Sequence, residues 1–107
     1  SGAPVVDWRY YDTIYTERYM GLLSENEAGY DAGSCLMSVS EDGIGKLLLI
    51  HGAVDDNVHV ANAFALMDRL HQEQHPFDSM IYPNVGHGLT RDGSRRMWNF
   101  LLGHCFP

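Results

Sequence analysis

The run Lys46-Leu47-Leu48-Leu49-Ile50-His51-Gly52-Ala53-Val54-Asp55-Asp56-Asn57 decides how this chain is read. From Leu47 to Ile50 it is apolar at every position. Such a run suits a strand covered on both faces, as in a parallel sheet, better than one facing solvent on one side. It is stopped by His51-Gly52 and followed by Asp55, Asp56 and Asn57, all good helix N-caps. From Val58 the period changes. Val60, Ala63, Phe64, Met67 and Leu70 recur at three- and four-residue spacing, the mark of an amphipathic helix. That helix is expected to end near His75, because Pro76 disfavours helical backbone at the residue before it. Residues 77–82 alternate loosely and stop at Pro83, which reads as a second strand.

Working outward, residues 1–6 are short, small and apolar, like the end of another buried strand. Residues 7–21 are rich in aromatics, and Tyr11, Tyr15 and Tyr19 recur every four residues, so a helix there would carry them on one face. Residues 22–45 are dense in Gly, Ser, Asp and Glu and read as loop, with a short helix near Tyr30. Residues 84–93 form a loop around Gly86-His87-Gly88, and Ser94 is placed to cap a last helix bearing Met97, Trp98, Leu101 and Leu102. Strands separated by helices make this an α/β pattern with about three parallel strands and flanking helices. A complete doubly wound sheet has more strands than that. Length and pattern together therefore suggest a fragment of an α/β domain occupying residues 1–107.

The composition sets limits. With 107 residues, 45% hydrophobic and 20% charged, the chain has room for at most one globular domain. Its net charge of -7 argues against nucleic acid or an anionic membrane surface as a partner. The longest unbroken apolar run, residues 63–67, is far below the ~20 residues of a membrane span. The first apolar residues lack the basic flank of a signal peptide. Two cysteines, Cys35 and Cys105, are too few for a disulfide scaffold. The charge is uneven: residues 1–59 hold ten acids against three bases, and residues 60–107 hold four of each. A solvated acidic face accounts for this. So does a field that draws a cationic substrate group.

In open parallel sheets functional residues gather beyond the carboxyl ends of the strands. An acid, Asp55, follows one predicted strand, and a histidine, His87, follows the next. Together they are the acid–base half of a Ser-His-Asp triad. The carboxylate fixes the tautomer of the ring, and the other ring nitrogen takes the nucleophile's proton. In hydrolases of this type the chain order is serine, acid, histidine. None of the seven serines here sits in a Gly-x-Ser-x-Gly elbow, so the nucleophile is expected upstream of Ser1. Plainer readings exist. Asp55 and Asp56 serve as caps, and His87 serves as a loop residue between turn glycines. A metal cluster of His51, Asp55, Asp56 and His59 is the rival chemistry, but its spacing matches no familiar zinc signature. His71, His75 and His104 read as solvated helix positions.

Several stretches carry a family resemblance. Ala3-Pro4-Val5-Val6-Asp7-Trp8-Arg9-Tyr10-Tyr11-Asp12-Thr13-Ile14-Tyr15-Thr16-Glu17-Arg18-Tyr19-Met20-Gly21 resembles a segment of the dipeptidyl peptidase IV branch of the prolyl oligopeptidase family. Leu48-Leu49-Ile50-His51-Gly52-Ala53-Val54-Asp55-Asp56-Asn57-Val58-His59 resembles the surroundings of that family's catalytic acid. Tyr82-Pro83-Asn84-Val85-Gly86-His87-Gly88 resembles its histidine loop. The resemblance implies the C-terminal part of an α/β-hydrolase domain, with Asp55 as triad acid and His87 as base. It implies that Asn57 contacts a substrate carbonyl. It further implies that Val5, Trp8, Tyr11, Tyr15 and Val58 form the pocket for a penultimate proline or alanine.

The activity implied is that of a serine dipeptidyl peptidase acting on peptides, with no metal or organic cofactor. The propeller, the serine and an oxyanion-hole tyrosine of such enzymes would lie upstream of Ser1, so the isolated chain is expected to be inactive. The family also implies a homodimer contact through the last helix, and a partner for Cys105 upstream of this segment. Location is left open, leaning to the periplasm or another extracytoplasmic space. A related oligopeptidase or esterase, and a non-catalytic assembly module, are the alternatives.

Overall fold

The computed structural model describes residues 1–40 and 44–105. Glu41 and Asp42 of the acidic half, and Phe106 beside Cys105, lie outside that range. Two strands, β1 (Leu48–Gly52) and β2 (Asp78–Tyr82), pair in parallel, with Leu48 opposite Asp78 and Gly52 opposite Tyr82. The helix α4 (Ala61–Gln72) forms the crossover between them. Among the described residues, 3-10 turns at Trp8–Tyr10 and Leu23–Glu25 and three short α-helices precede the sheet: α1 (Thr13–Met20), α2 (Glu27–Ala32) and α3 (Cys35–Ser38). A long one, α5 (Arg91–Cys105), follows it. The expected third strand is reduced to a single parallel bridge of Gly2 to Ile50. It is held by Ala3 N–H to Ile50 O at 2.8 Å and Ile50 N–H to Ser1 O at 2.9 Å. β1 thus lies between this segment and β2, which is why its apolar run is buried.

The core is small. Val6, Val39, Leu49, Leu66 and Leu70 pack together, joined by the half-buried Leu36, Leu47, Ala65, Met67 and Phe77. The buried stripe of α4 is Asn62, Ala63, Leu66 and Leu70, so the expected apolar stripe is corrected: Phe64 stands half exposed. The face is turned by Asn62, which is fully buried. Its side chain accepts from Val6 N–H at 3.2 Å and donates to His59 O at 3.1 Å. A buried amide without partners would cost more than the exposure of one phenylalanine gains.

Several helix ends also differ from expectation. The cap of α4 is Val60, which makes no side-chain bond, so Asp55, Asp56 and Asn57 are not its caps. The carboxylate of Asp55 instead closes its own turn. Ser94 lies inside α5, whose first turn begins three residues earlier. The hydroxyl taking that role belongs to Thr90, which accepts from Gly93 N–H at 3.0 Å. Helix α1 does start on a side chain, Asp12, which accepts from Tyr15 N–H at 2.9 Å. It ends at Gly21, whose φ of 73° is one that glycine adopts without strain.

α4 ends where Pro76 required, but by a specific closure. Gln74 N–H donates to His71 O at 3.0 Å and His75 N–H to Leu70 O at 2.8 Å, with Gln74 in the left-handed region at φ 56°. This is a Schellman arrangement with a side chain where glycine is usual. His75 therefore lies beyond the helix, and its Nε2 bonds the Ser40 carbonyl at 2.8 Å. Left-handed backbone costs a residue with a Cβ about 1–2 kcal/mol, partly offset by the chain entropy glycine loses. Gln74→Gly is therefore expected to raise stability by about 0.5–1 kcal/mol in urea denaturation. A drop in the midpoint would show that Gln74 is held by contacts its backbone does not reveal.

Candidate active site

The register decides which residues meet. Gly52 and Tyr82 are paired at the carboxyl ends of β1 and β2, so the segments that follow leave the sheet side by side. Asp55 lies three residues past Gly52, and His87 five past Tyr82. Ala53 N–H donates to Tyr82 O at 2.9 Å and Val54 N–H to Val85 O at 3.2 Å, which stitches the two loops together.

There the His87 ring donates through Nδ1 to Oδ2 of Asp55 at 2.8 Å. The Asp55 side chain is wholly buried, whereas that of His87 is 43% exposed. The inner ring nitrogen therefore serves the carboxylate, and the exposed edge of the ring remains for a reactant. Oδ1 of Asp55 accepts from Asn57 N–H at 2.9 Å and Val58 N–H at 2.8 Å. Burial alone would push the Asp55 carboxyl up. The hydrogen bonds from His87, Val58 and Asn57 outweigh it and hold the group below its ordinary value of 3.8. Asp55 is therefore an ionised acceptor at neutral pH, the state in which it orients a neighbouring imidazole.

A second group adjoins this pair. Trp8, Tyr11 and Tyr15 form one aromatic cluster. Tyr15 stacks on Trp8 at 5.9 Å between centroids, and Tyr11 meets both rings edge-on at 5.4–6.0 Å. Tyr19 extends the row, 4.9 Å from Tyr15. The Tyr11 hydroxyl donates to the Asn57 side-chain oxygen at 2.8 Å, joining the aromatic wall to the acid turn. Val58 is buried beneath that turn, and Val5 is half-buried two residues before Asp7. The turn at Trp8 is fastened by Asp7, which accepts from Arg9 N–H at 2.9 Å, from the Arg9 guanidinium at 3.0 Å and from Ser34 Oγ at 2.7 Å.

The rival metal set does not assemble. Asp56 and His59 are exposed, and His59 Nδ1 accepts from Ala61 N–H at 3.0 Å. Among the described residues, no three His, Cys, Asp or Glu side chains are grouped as a metal ion needs. Cys35 and Cys105 are both exposed and unbridged.

Three features of the site have a role that the sequence does not show. Gly52 is one. A Cβ there would sit 2.1 Å from Val85 O and 2.4 Å from Gly86 O, so the histidine loop lies directly on a bare backbone. The second is a clamp at the loop's far side: the Tyr82 hydroxyl donates to Asp92, which also accepts from Arg95 and Arg96 at 2.9 and 2.8 Å. The third is His51, buried beside Asp55. A glycine closing an apolar run, followed by a His loop after the next strand, was the available signal for the first. The other two depend on packing.

Comparison with known proteins names the architecture. The model of the prolyl oligopeptidase family, Peptidase_S9, matches residues 1–105. The chain belongs to this family. It falls in the dipeptidyl peptidase IV branch. Proteins named "Probable dipeptidyl-aminopeptidase B" from Arthroderma gypseum and Metarhizium robertsii are each 44% identical to it, over 81% and 89% of its length. The crystal structure of Porphyromonas gingivalis dipeptidyl peptidase 4 superimposes with a TM-score of 0.88 and 41% identity over 96% of the chain. The chain spans 10% of the length of those two curated relatives and 15% of that structure. Its parallel strands and flanking helices are therefore part of an α/β-hydrolase fold of this family.

Two tests follow from the geometry. Gly52→Ala should lift the loop and break the Asp55–His87 bond, read as loss of the His87 Nδ1–H signal in long-range 1H–15N NMR. Gly86→Ala, whose added carbon meets nothing within 4 Å, should leave that signal in place. Equal behaviour of the two variants would refute the contact. The second test uses the clamp. Tyr82, then Arg96 and Arg95, lower the Asp92 carboxyl from 3.8 to about 2. A group depressed in the folded state stabilises above its unfolded pKa. That contribution is thus full above pH 3.8 and is lost as pH falls toward about 2. Asp92→Asn should flatten the fall in urea midpoint across this window, and parallel curves would show that the clamp contributes nothing.

Proposed function

We propose that residues 1–107 are the C-terminal portion of the catalytic domain of a serine dipeptidyl peptidase. On this reading Asp55 and His87 are the triad acid and base, and the nucleophile comes from chain outside these residues. The observation that carries it is the 2.8 Å bond from His87 Nδ1 to a carboxylate that is buried and held ionised. That bond leaves Nε2 of His87 as the base. Nε2 takes the serine proton as the hydroxyl attacks the substrate carbonyl, then returns it to the leaving amine. Asp55 steadies the imidazolium formed between these steps. Water repeats the sequence to release the acyl group as a dipeptide.

Specificity on this reading comes from the aromatic wall. Proline is compact, apolar and has no amide hydrogen once in a peptide, so flat rings enclose it without stranding a donor. Trp8, Tyr11 and Tyr15, with Val5 and Val58, would take proline or alanine at the penultimate position. Asn57 accepts from Tyr11 through its side-chain oxygen, which leaves its Nδ2 hydrogens to donate to a substrate carbonyl. The acidic first half would favour approach of the cationic amino terminus. The exposed Trp98 and Leu102 on α5 would serve as a contact with a second copy.

The test uses the full-length protein of which this segment is part, with a Gly-Pro chromogenic substrate. Asp55→Asn should lower kcat by about 10⁴-fold and His87→Ala by about 10⁶-fold. Residues 1–107 alone, which hold no serine on an elbow, should give no turnover. Serine-hydrolase activity that survives His87→Ala would overturn the proposal.

A further inference from the structure

His51 is 1% exposed, sits within β1 and takes no part in the chemistry described above. Its Nε2 lies 2.7 Å from the Val58 carbonyl oxygen and 3.3 Å from Oδ2 of Asp55. The Val58 oxygen is an acceptor, so Nε2 carries the hydrogen and donates it there, with the Asp55 carboxylate beside the same ring edge. The other ring nitrogen, Nδ1, is buried with no hydrogen-bond partner among the described residues. The ring also borders a groove of about 450 Å³ between the sheet and α5, shared with Gly2, Ile50, His87, Met97 and Leu101.

These contacts place a single N–H at the centre of the acid turn. Residues 53–58 leave the strand and double back. Their far end is tied to His51 through Val58 O, and the N–H of the same Val58 donates to Asp55 Oδ1 at 2.8 Å. Without His51 the Val58 carbonyl would be a buried acceptor with no donor. The Val58 N–H that donates to Oδ1 would lose its anchor at the strand. The far end of the turn, and with it the direction of the Oδ2 lone pairs, would then rest on the bonds to Oδ1, since the backbone bonds of Ala53 and Val54 hold only its near end.

We propose that His51 is a positioning residue. It holds the Asp55 carboxylate so that Oδ2 faces His87 Nδ1, and it does so from inside the sheet, without touching substrate. This rests on the triad reading given above. A catalytic group displaced by about 1 Å can cost about 10²-fold in rate. His51→Leu in the full-length protein should therefore lower kcat about 100-fold and move KM by less than about three-fold. His51→Gln, whose side-chain amide offers a donor at comparable reach, should keep kcat within about ten-fold of wild type. Because His51 acts through Asp55, His51→Leu should cost less than about three-fold more in an Asp55→Asn background.

The outcomes separate. If Asp55→Asn and His87→Ala leave kcat intact, the triad reading fails. If those two abolish turnover but His51→Leu does not, only the role of His51 fails. A loss confined to KM, or full additivity with Asp55→Asn, also overturns it, since either would make His51 a support of the fold or pocket. If the Leu variant does not fold, the Gln variant decides. Activity within ten-fold of wild type supports the proposal, and a hundred-fold loss at unchanged thermal midpoint refutes it.

Discussion

The structure turns on one buried charge. Asp55 is ionised, its side chain is wholly inaccessible, and no Lys or Arg among the described residues bridges to it. A carboxylate so placed is tolerated only when its lone pairs are filled. Three N–H groups do this: Asn57 and Val58 on one oxygen, His87 on the other, with the His51 ring 3.3 Å from the second. Each donor comes from a fixed place. Two belong to the turn itself and one to the loop after β2. The acid therefore couples the turn and the histidine loop over the floor of β1, and all three donors must arrive together for it to be buried at all.

Gly52 is what lets the last donor arrive. The bond from Val54 N–H to Val85 O draws the histidine loop down until Val85 and Gly86 carbonyls rest on the strand end. Only a residue without a Cβ leaves room for that approach. The Tyr82–Asp92 bond then fixes the other end of the loop to the start of α5. The loop is short, pinned on both sides and crossed by backbone bonds. His87 owes its place to this frame more than to its own packing, since much of its ring is exposed.

Much of this was legible in the sequence, and the illegible part has a pattern. The apolar run at 47–50 and the change of period after Val58 announced a parallel strand and its crossover helix, because burial on both faces and helical spacing are local properties. The meeting of Asp55 and His87 followed from topology, since residues just past two adjacent parallel strands share an edge. Helix capping, the plainer alternative for Asp55, does not occur because its side chain closes its own turn, which an Asp does as readily as it caps a helix. Phe64 was misplaced because the face of α4 is set by Asn62, whose partner Val6 lies 56 residues away. His51 was considered only as a ligand, and nothing local tells a buried histidine which acceptors it will find.

The same contrast explains how so small a core holds a defined site. Five apolar side chains form the central cluster, while Asp7, Ser34, His51, Asp55 and Asn62 are buried as polar groups. Apolar contacts are tolerant of sliding, whereas a buried polar group is satisfied in few arrangements. Asp7 sets the turn that presents Trp8. Asn62 ties the first segment to the start of α4, and Tyr11 reaches Asn57 on the acid turn. The aromatic wall is thus bonded to the acid turn through hydrogen bonds that a shift of one ångström would break. Geometry between the wall and His87 is consequently set by polar bonds, while the apolar cluster supplies cohesion beneath them. A substitution in the cluster should change how firmly the site stands, and one among the polar groups should change where it points.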